Sequence, residues 1–135
     1  MILDTNILSA LSSPDCPRSL NVRLEGADET ACTTAVNWAE ACYGIARMPG
    51  EDGERVRERY EALVLPRIAI LDFDRESAEI YADIRSELER RGQPLGDADL
   101  MIASISLRHG MTLVSGNTRH FARVPGLKLE NWLEG

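Results

Sequence analysis

The chain has 135 residues, enough for one domain with a sizeable core, and its 44% hydrophobic and 27% charged composition is that of an ordinary globular protein. A net charge of −7 and a pI near 4.8 exclude a protein that grips nucleic acid by bulk positive charge. They do not exclude a nuclease whose acids meet phosphate through a bound cation. No charge-free apolar run nears membrane-spanning length and no charged-then-apolar leader opens the chain, so a cytoplasmic protein without membrane association is expected.

Met1–Leu3 reads as a short buried strand that ends on Asp4. A helix over Asn6–Leu11 breaks around Pro14–Pro17 and resumes across Leu20–Glu25. Thr30–Thr34 is rich in β-branched residues and forms a second strand. Helical periodicity follows over Ala35–Arg47, stops at "MPGEDG", and returns in a charged amphipathic helix over Glu54–Leu63. "RIAILDF" (Arg67–Phe73) is the strongest strand. Glu76–Arg91 is a helix with Ala78, Tyr81, Ala82, Ile84 and Leu88 at helical spacing. "GQPLG" breaks the chain before the least polar helix, Ala98–His109. "MTLVS" is the next strand, "GNTRHF" a loop and "LKLENW" the last short strand. Strands and helices alternate from end to end, which implies a single α/β domain over residues 1–135 with a mainly parallel sheet covered on both faces.

The basic residues are fourteen Arg against one Lys, Lys128. Arginine is the better fork for phosphate, but genome base composition accounts for such a ratio as well. Cys16, Cys32 and Cys42 show no paired spacing; Cys32 and Cys42 read as small core residues of a reducing compartment.

Sites in open α/β sheets gather beyond the carboxyl ends of the strands, where Asp4 falls. Asp4 is either the cap of the following helix or a ligand, and taken alone the cap is the commoner role. Glu40 is the only charged residue in "TACTTAVNWAEACYGIA" and lies beside an apolar face. A buried carboxylate there needs a cation or an arginine from another element. Asp97 and Asp99 both suit a helix N-terminus. Asp97 falls at the cap; Asp99, one turn ahead of Ile102 and Ala103, leans inward and is the better ligand. Ser115, Asn117 and Thr118 follow the fourth strand at the same edge. Without a thiol pair or clustered histidines, an all-oxygen site suits Mg²⁺ or Mn²⁺ rather than zinc.

"LDTN", the glutamate of "NWAEACYGIAR", "GQPLGDADLMIAS" and "LVSGNTRHFARVPGLKLENW" together resemble a PIN domain, more narrowly the toxin half of VapBC-type toxin–antitoxin pairs and their FitB-like relatives. Each piece is weak; the ordered set spans the chain. The resemblance implies a three-layer α/β/α sandwich and a Mg²⁺- or Mn²⁺-dependent endoribonuclease. It implies Asp4, Glu40 and Asp99 as the acidic catalytic positions, with Asp4 and Asp99 as metal ligands and Glu40 orienting the attacking water. Thr5, Asn6 and Ser115 match polar positions that support the carboxylates. Asn117 matches a fourth position that is often Asp, and His120 one that is often an acid. No histidine is expected near the acids, so the cation would carry the electrophilic work.

Arg85, Arg119 and Arg123, with Arg90 and Arg91, are candidate contacts for the RNA substrate or for a cognate antitoxin protein; a solvated helix face explains Arg90 and Arg91 equally well. The resemblance also implies a homodimer. Trp38 and Tyr43 fit either an antitoxin groove or core packing. One rival reading is a receiver-like signalling module phosphorylated at Asp72 or Asp74, but the only lysine, Lys128, lies too far along the chain to meet the phosphoryl group. Another is a phosphatase built on "DFDRE". Both leave Glu40 without a role. A catalytically silent PIN-fold scaffold draws support from Asn117 alone, and a serine hydrolase lacks its nucleophile motif.

Overall fold

The first strand, β1 (Ile2–Leu3), is only two residues long and entirely buried because it is the central strand of a five-stranded sheet. The computed structural model describes residues 1–27 and 30–133. Along these residues β1 leads into α1 (Thr5–Ser12) and α2 (Arg18–Glu25), then β2 (Cys32–Thr34), α3 (Ala35–Ala46) and α4 (Asp52–Leu63). A 3-10 turn (Leu65–Arg67) precedes β3 (Ala69–Leu71). Then come α5 (Arg75–Arg90), α6 (Asp97–His109), β4 (Leu113–Val114), α7 (Thr118–Phe121) and β5 (Leu129–Glu130).

All strand pairings among the described residues are parallel, in the order β3-β2-β1-β4-β5. Ile2 pairs with both Cys32 and Leu113, and Leu3 with Val114. The chain therefore builds outward from β1 on one side, crosses back, and builds outward from β4 on the other. That reversal leaves a crevice over the carboxyl ends of β1 and β4, the usual ligand position in such sheets.

The period-two alternation of side chains divides the core. Leu3 and Val114 face a cluster with Ile7, Leu8, Leu20, Ile45 and Tyr60 from α1–α4. Ile2 and Leu113 face Ile84, Leu88, Leu100, Ile105 and Phe121 from α5–α7. This is the expected α/β/α sandwich.

The strands are shorter than expected. Arg67 closes the 3-10 turn, and β3 keeps three residues of "RIAILDF". The expected loop "GNTRHF" contains a one-turn helix, because Phe121 is fully buried and the Ala122 N–H closes the turn on the Thr118 carbonyl at 2.9 Å. α6 stops at Gly110, whose left-handed φ of 63° ends the helix without a Cβ penalty. The α3–α4 corner is tight. A Cβ on Gly53 would lie 2.8 Å from the Ile45 carbonyl oxygen. Cys32 is buried, whereas Cys42 is only half-buried and not the core residue expected. Among the described residues no helix is long and apolar enough to cross a membrane.

Candidate active site

Asp4 directly follows β1 and occupies the N-cap of α1, yet its side chain makes no capping bond. Its backbone carbonyl accepts from the N–H groups of Ile7 and Leu8 at 3.0 and 3.1 Å, which leaves the carboxylate free to turn into the crevice. There Oδ1 accepts from Asn37 Nδ2 at 2.8 Å and Oδ2 from Ser115 Oγ at 2.7 Å. Asp4 is 7% exposed. The cap reading is thereby set aside.

Ser115 follows β4 and is itself fully buried, with Oγ accepting the Asn117 N–H at 2.9 Å. Asn37 reaches the site because Thr34, the last residue of β2, caps α3: Thr34 Oγ1 accepts the Asn37 N–H at 3.1 Å and donates to Asn37 Oδ1 at 2.7 Å. Asn37 Nδ2 also lies 2.9 Å from Thr5 Oγ1, and Thr5 Oγ1 donates to Glu40 Oε1 at 2.8 Å. Glu40 thus joins the site through Thr5. It is exposed, not buried as its apolar neighbourhood implied, because Asn37 and Ala41 take the inward face of α3.

Asp99 stands in the first turn of α6 with its side chain 31% exposed. Burial pushes its carboxyl above the ordinary aspartate value, the charges of Asp4 and Glu40 add to this, and His120 opposes them. Asp99 therefore lies within electrostatic reach of both Asp4 and Glu40. His120 Nδ1 lies 3.9 Å from Asp99 Oδ2 and 3.0 Å from Asn117 Nδ2. A histidine does stand beside the acids, contrary to expectation, because the turn of α7 returns residue 120 over residue 117.

Several other residues take roles different from those expected. The N-cap of α6 is Gly96, not Asp97. The exposed Asp97 carboxylate instead accepts from Tyr81 Oη at 2.7 Å and from Arg85 at 3.4 Å. Arg85 is also tied to Glu89 and to the Tyr81 hydroxyl, each at 2.9 Å. Asn6 Oδ1 accepts from the Gly116 N–H at 3.2 Å, so it pins the loop after β4 rather than a carboxylate. Arg119 is exposed and free of side-chain partners among the described residues, whereas Arg123 donates to the Pro94 carbonyl at 3.0 Å. Arg90 and Arg91 both pair with Glu87 on the solvated face of α5. Trp38 packs edge-on against Tyr60 at 5.7 Å, while Tyr43 is exposed beneath the Arg47 guanidinium. Asp74 caps α5 through the Ser77 N–H at 2.8 Å, and Asp72 is exposed beyond the edge strand, away from the crevice. Neither sits as a phosphoacceptor would.

Asn37 is the member of the site that sequence reasoning passed over. Its signal was present: a large polar side chain three residues before Glu40 in an otherwise apolar helix.

The donor set is all oxygen. Among the described residues no arginine or lysine pairs with Asp4, Glu40 or Asp99. Nor do any three His, Cys, Asp or Glu side chains close on one point as a finished metal cage. A buried, doubly hydrogen-bonded carboxylate beside a second acid fits a hard cation that completes its shell with water and phosphate. Mg²⁺ takes one or two carboxylates in that manner.

An acid-lined crevice at the carboxyl edge of a parallel sheet, between two helical layers, defines the class. Residues 1–127 match the PIN domain, and the chain belongs to that family. It is 33% identical over 132 residues to Ribonuclease VapC2 of Rickettsia felis, covering 97% of this chain and 96% of that protein. It is 34% identical over 134 residues to the tRNA(fMet)-specific endonuclease VapC of Shigella flexneri, with the same coverage of each chain. Among solved structures, VapBC2 from Rickettsia felis bound to a DNA fragment from its promoter superposes with a TM-score of 0.87 at 32% identity, over 97% of both chains.

Proposed function

We propose that the protein is a metal-dependent endoribonuclease, the toxin of a VapBC-type pair, with Mg²⁺ or Mn²⁺ held by Asp4 and Asp99. The observation that carries this reading is the gathering of Asp4, Glu40 and Asp99 with no arginine or lysine partner among the described residues; burial, and then the charges of Asp4 and Glu40, raise the Asp99 carboxyl. A divalent ion held by Asp4 and Asp99 would supply the positive charge that an acidic surface needs to meet a phosphodiester and would lower the pKa of a bound water. The chain's own part is positional. Asn37 and Ser115 fix both oxygens of Asp4. Thr5 fixes Oε1 of the exposed Glu40, and Oε2 remains available to take the proton of the attacking water. Arg119, exposed beside Asn117, is placed to meet backbone phosphate.

The partner follows from kinship. The relative named above is solved as a toxin–antitoxin complex, and a basic antitoxin segment suits a crevice of uncompensated acids. A homodimer, and cleavage of a tRNA such as that named for the Shigella flexneri relative, belong to the same proposal.

The test is cleavage of tRNA(fMet) and of total RNA with Mg²⁺, Mn²⁺ or EDTA, with Asp99→Asn beside the parent. Discrete fragments that need metal and vanish in the variant are expected. A folded, metal-binding parent that cuts neither RNA would favour the silent scaffold to which Asn117 points. Cleavage that survives both EDTA and the substitution would overturn the site.

A further inference from the structure

Every proton in the hydrogen-bond chain around Asp4 has a direction. Thr34 Oγ1 already accepts the Asn37 N–H, so its hydroxyl proton goes to Asn37 Oδ1. That fixes the amide the other way round: Nδ2 is the donor toward Asp4 Oδ1 and Thr5 Oγ1. Thr5 accepts one of those protons and passes its own to Glu40 Oε1. Ser115 accepts from the Asn117 N–H and passes its own to Asp4 Oδ2. The two branches that leave the Asn37 amide, and the one that passes through Ser115, end on carboxylate oxygens. Both amide protons of Asn37 and its carbonyl are engaged, and the residue is fully buried. Among the described residues, no other side chain hydrogen-bonds both the Asp4 carboxylate and Thr5, which holds Glu40.

We propose that Asn37 is a positioning residue of the metal site, holding Asp4 directly and Glu40 through Thr5 in a single register. The cap of α3 sets where Asn37 stands, and Asn37 sets how far the ligand Asp4 lies from the water-orienting Glu40. Without the amide, Asp4 Oδ1 loses its donor and rotates about the remaining Ser115 bond, while Thr5 loses the contact that aims its hydroxyl. Hydrogen-bonding partners of metal ligands typically set affinity by about 10–100-fold. The inference rests on the reading of Asp4 and Asp99 as metal ligands.

The experiment is Mn²⁺ titration of the purified full chain, with free ion followed by electron paramagnetic resonance and folding by circular dichroism and thermal melting. Asn37→Ala removes the side chain; Asn37→Leu keeps a similar shape without donors. Ser106→Ala is the control, since Ser106 is buried on α6 and its hydroxyl donates to the Ile102 carbonyl of its own helix. Asp4→Asn tests the underlying reading. The expected result is that both Asn37 variants fold and bind Mn²⁺ about 10–100-fold more weakly, while Ser106→Ala moves the melting point alone. Affinity within twofold of the parent in a folded Asn37 variant, with Asp4→Asn deficient, overturns the role of Asn37 and leaves the metal site standing. A parent that binds no Mn²⁺, or an Asp4→Asn that binds as well as the parent, overturns both. Failure of both Asn37 variants to fold assigns the residue to the scaffold and likewise overturns the proposal.

Discussion

Asp99→Asn should raise the melting temperature of the metal-free protein at neutral pH and abolish its stabilisation by metal. The Asp99 carboxyl is held above its ordinary value of 3.8, first by burial, then by Asp4 and Glu40. The folded state therefore binds this proton more tightly than the unfolded chain does. Its contribution to stability is complete below 3.8 and is lost as pH rises through the raised folded value. At pH 7.5 the ionised side chain is a liability, and asparagine keeps its shape without its charge. Substitutions that relieve such a conflict typically gain about 0.5–2 kcal/mol. At about 2.1 cal/mol/K per residue, a chain of this length unfolds with roughly 0.28 kcal/mol/K, so the gain in Tm is about 2–7 °C. Saturating metal acts the other way. Ion at a hundred times its Kd adds about 2.7 kcal/mol, or roughly 10 °C, to a chain that can bind it. The assay is thermal melting of parent and variant in EDTA and in Mn²⁺ at pH 7.5, repeated in EDTA at falling pH. The variant should melt higher in EDTA, the parent should overtake it in Mn²⁺, and the EDTA gap should close toward pH 3.8. A variant that melts at or below the parent in EDTA at pH 7.5 would refute the reasoning.

Glu40→Gln should slow RNA cleavage by about 10²–10⁴-fold, the range for removal of a general base, with melting almost unchanged because the residue is exposed. Initial rates and a melting curve on one preparation check both halves. Phe121→Ala should cost about 3–5 kcal/mol, since the ring is fully buried and anchors the turn that carries Asn117 and His120. Urea unfolding measures it, and a loss under 1 kcal/mol would show the anchor is not needed. Gly53→Ala should cost about 1–3 kcal/mol, because the new methyl lies 2.8 Å from the Ile45 carbonyl oxygen and the corner of α3 and α4 must open. An unchanged urea midpoint would contradict this. Arg119→Ala should leave melting alone and lower the salt dependence of RNA binding by about one phosphate contact, read as the slope of log affinity against log salt.

The element order was legible because each strand is a short apolar run between punctuated helices. The lengths were not. β1 and β4 need only two paired residues each, since burial on both faces holds what hydrogen-bond ladders alone would not. Asp4 and Asp99 were visible as acids at element boundaries, but whether Asp4 capped α1 was a matter of side-chain direction, which spacing leaves open. Glu40 was singled out through an argument from burial that its exposure does not uphold; it stands in the site because Thr5 holds it. The roles of Asn37 and of His120, the latter noted only as a departure from an acid, were missed for opposite reasons. The value of Asn37 lies in contacts with residues more than thirty positions away, which spacing along one helix does not show. His120 lay in a polar run that read as loop, and only the burial of Phe121 folds that run back over Asn117.

The site's geometry also explains how a chain with a net charge of −7 can belong to a family that works on RNA. Acids that repel one another would normally swing apart into water, at little cost to the fold. Here they are held. Asp4 is tied at both oxygens, Glu40 at one, and Asp99 stands on a helix whose remaining turns are among the most buried in the chain. The tethers come from β1, from β2 with its following helix, and from β4, so no single segment can relax without disturbing its neighbours. Repulsion that cannot be relieved by motion can be relieved by a counter-ion. A divalent cation held there would offset most of the charge of the three carboxylates and offer phosphate a local positive point, leaving the rest of the surface repulsive to polyanions. On the proposed function, binding of RNA would then be local to the place where its backbone is cut, and the acidity of the whole chain would work toward selectivity instead of against activity.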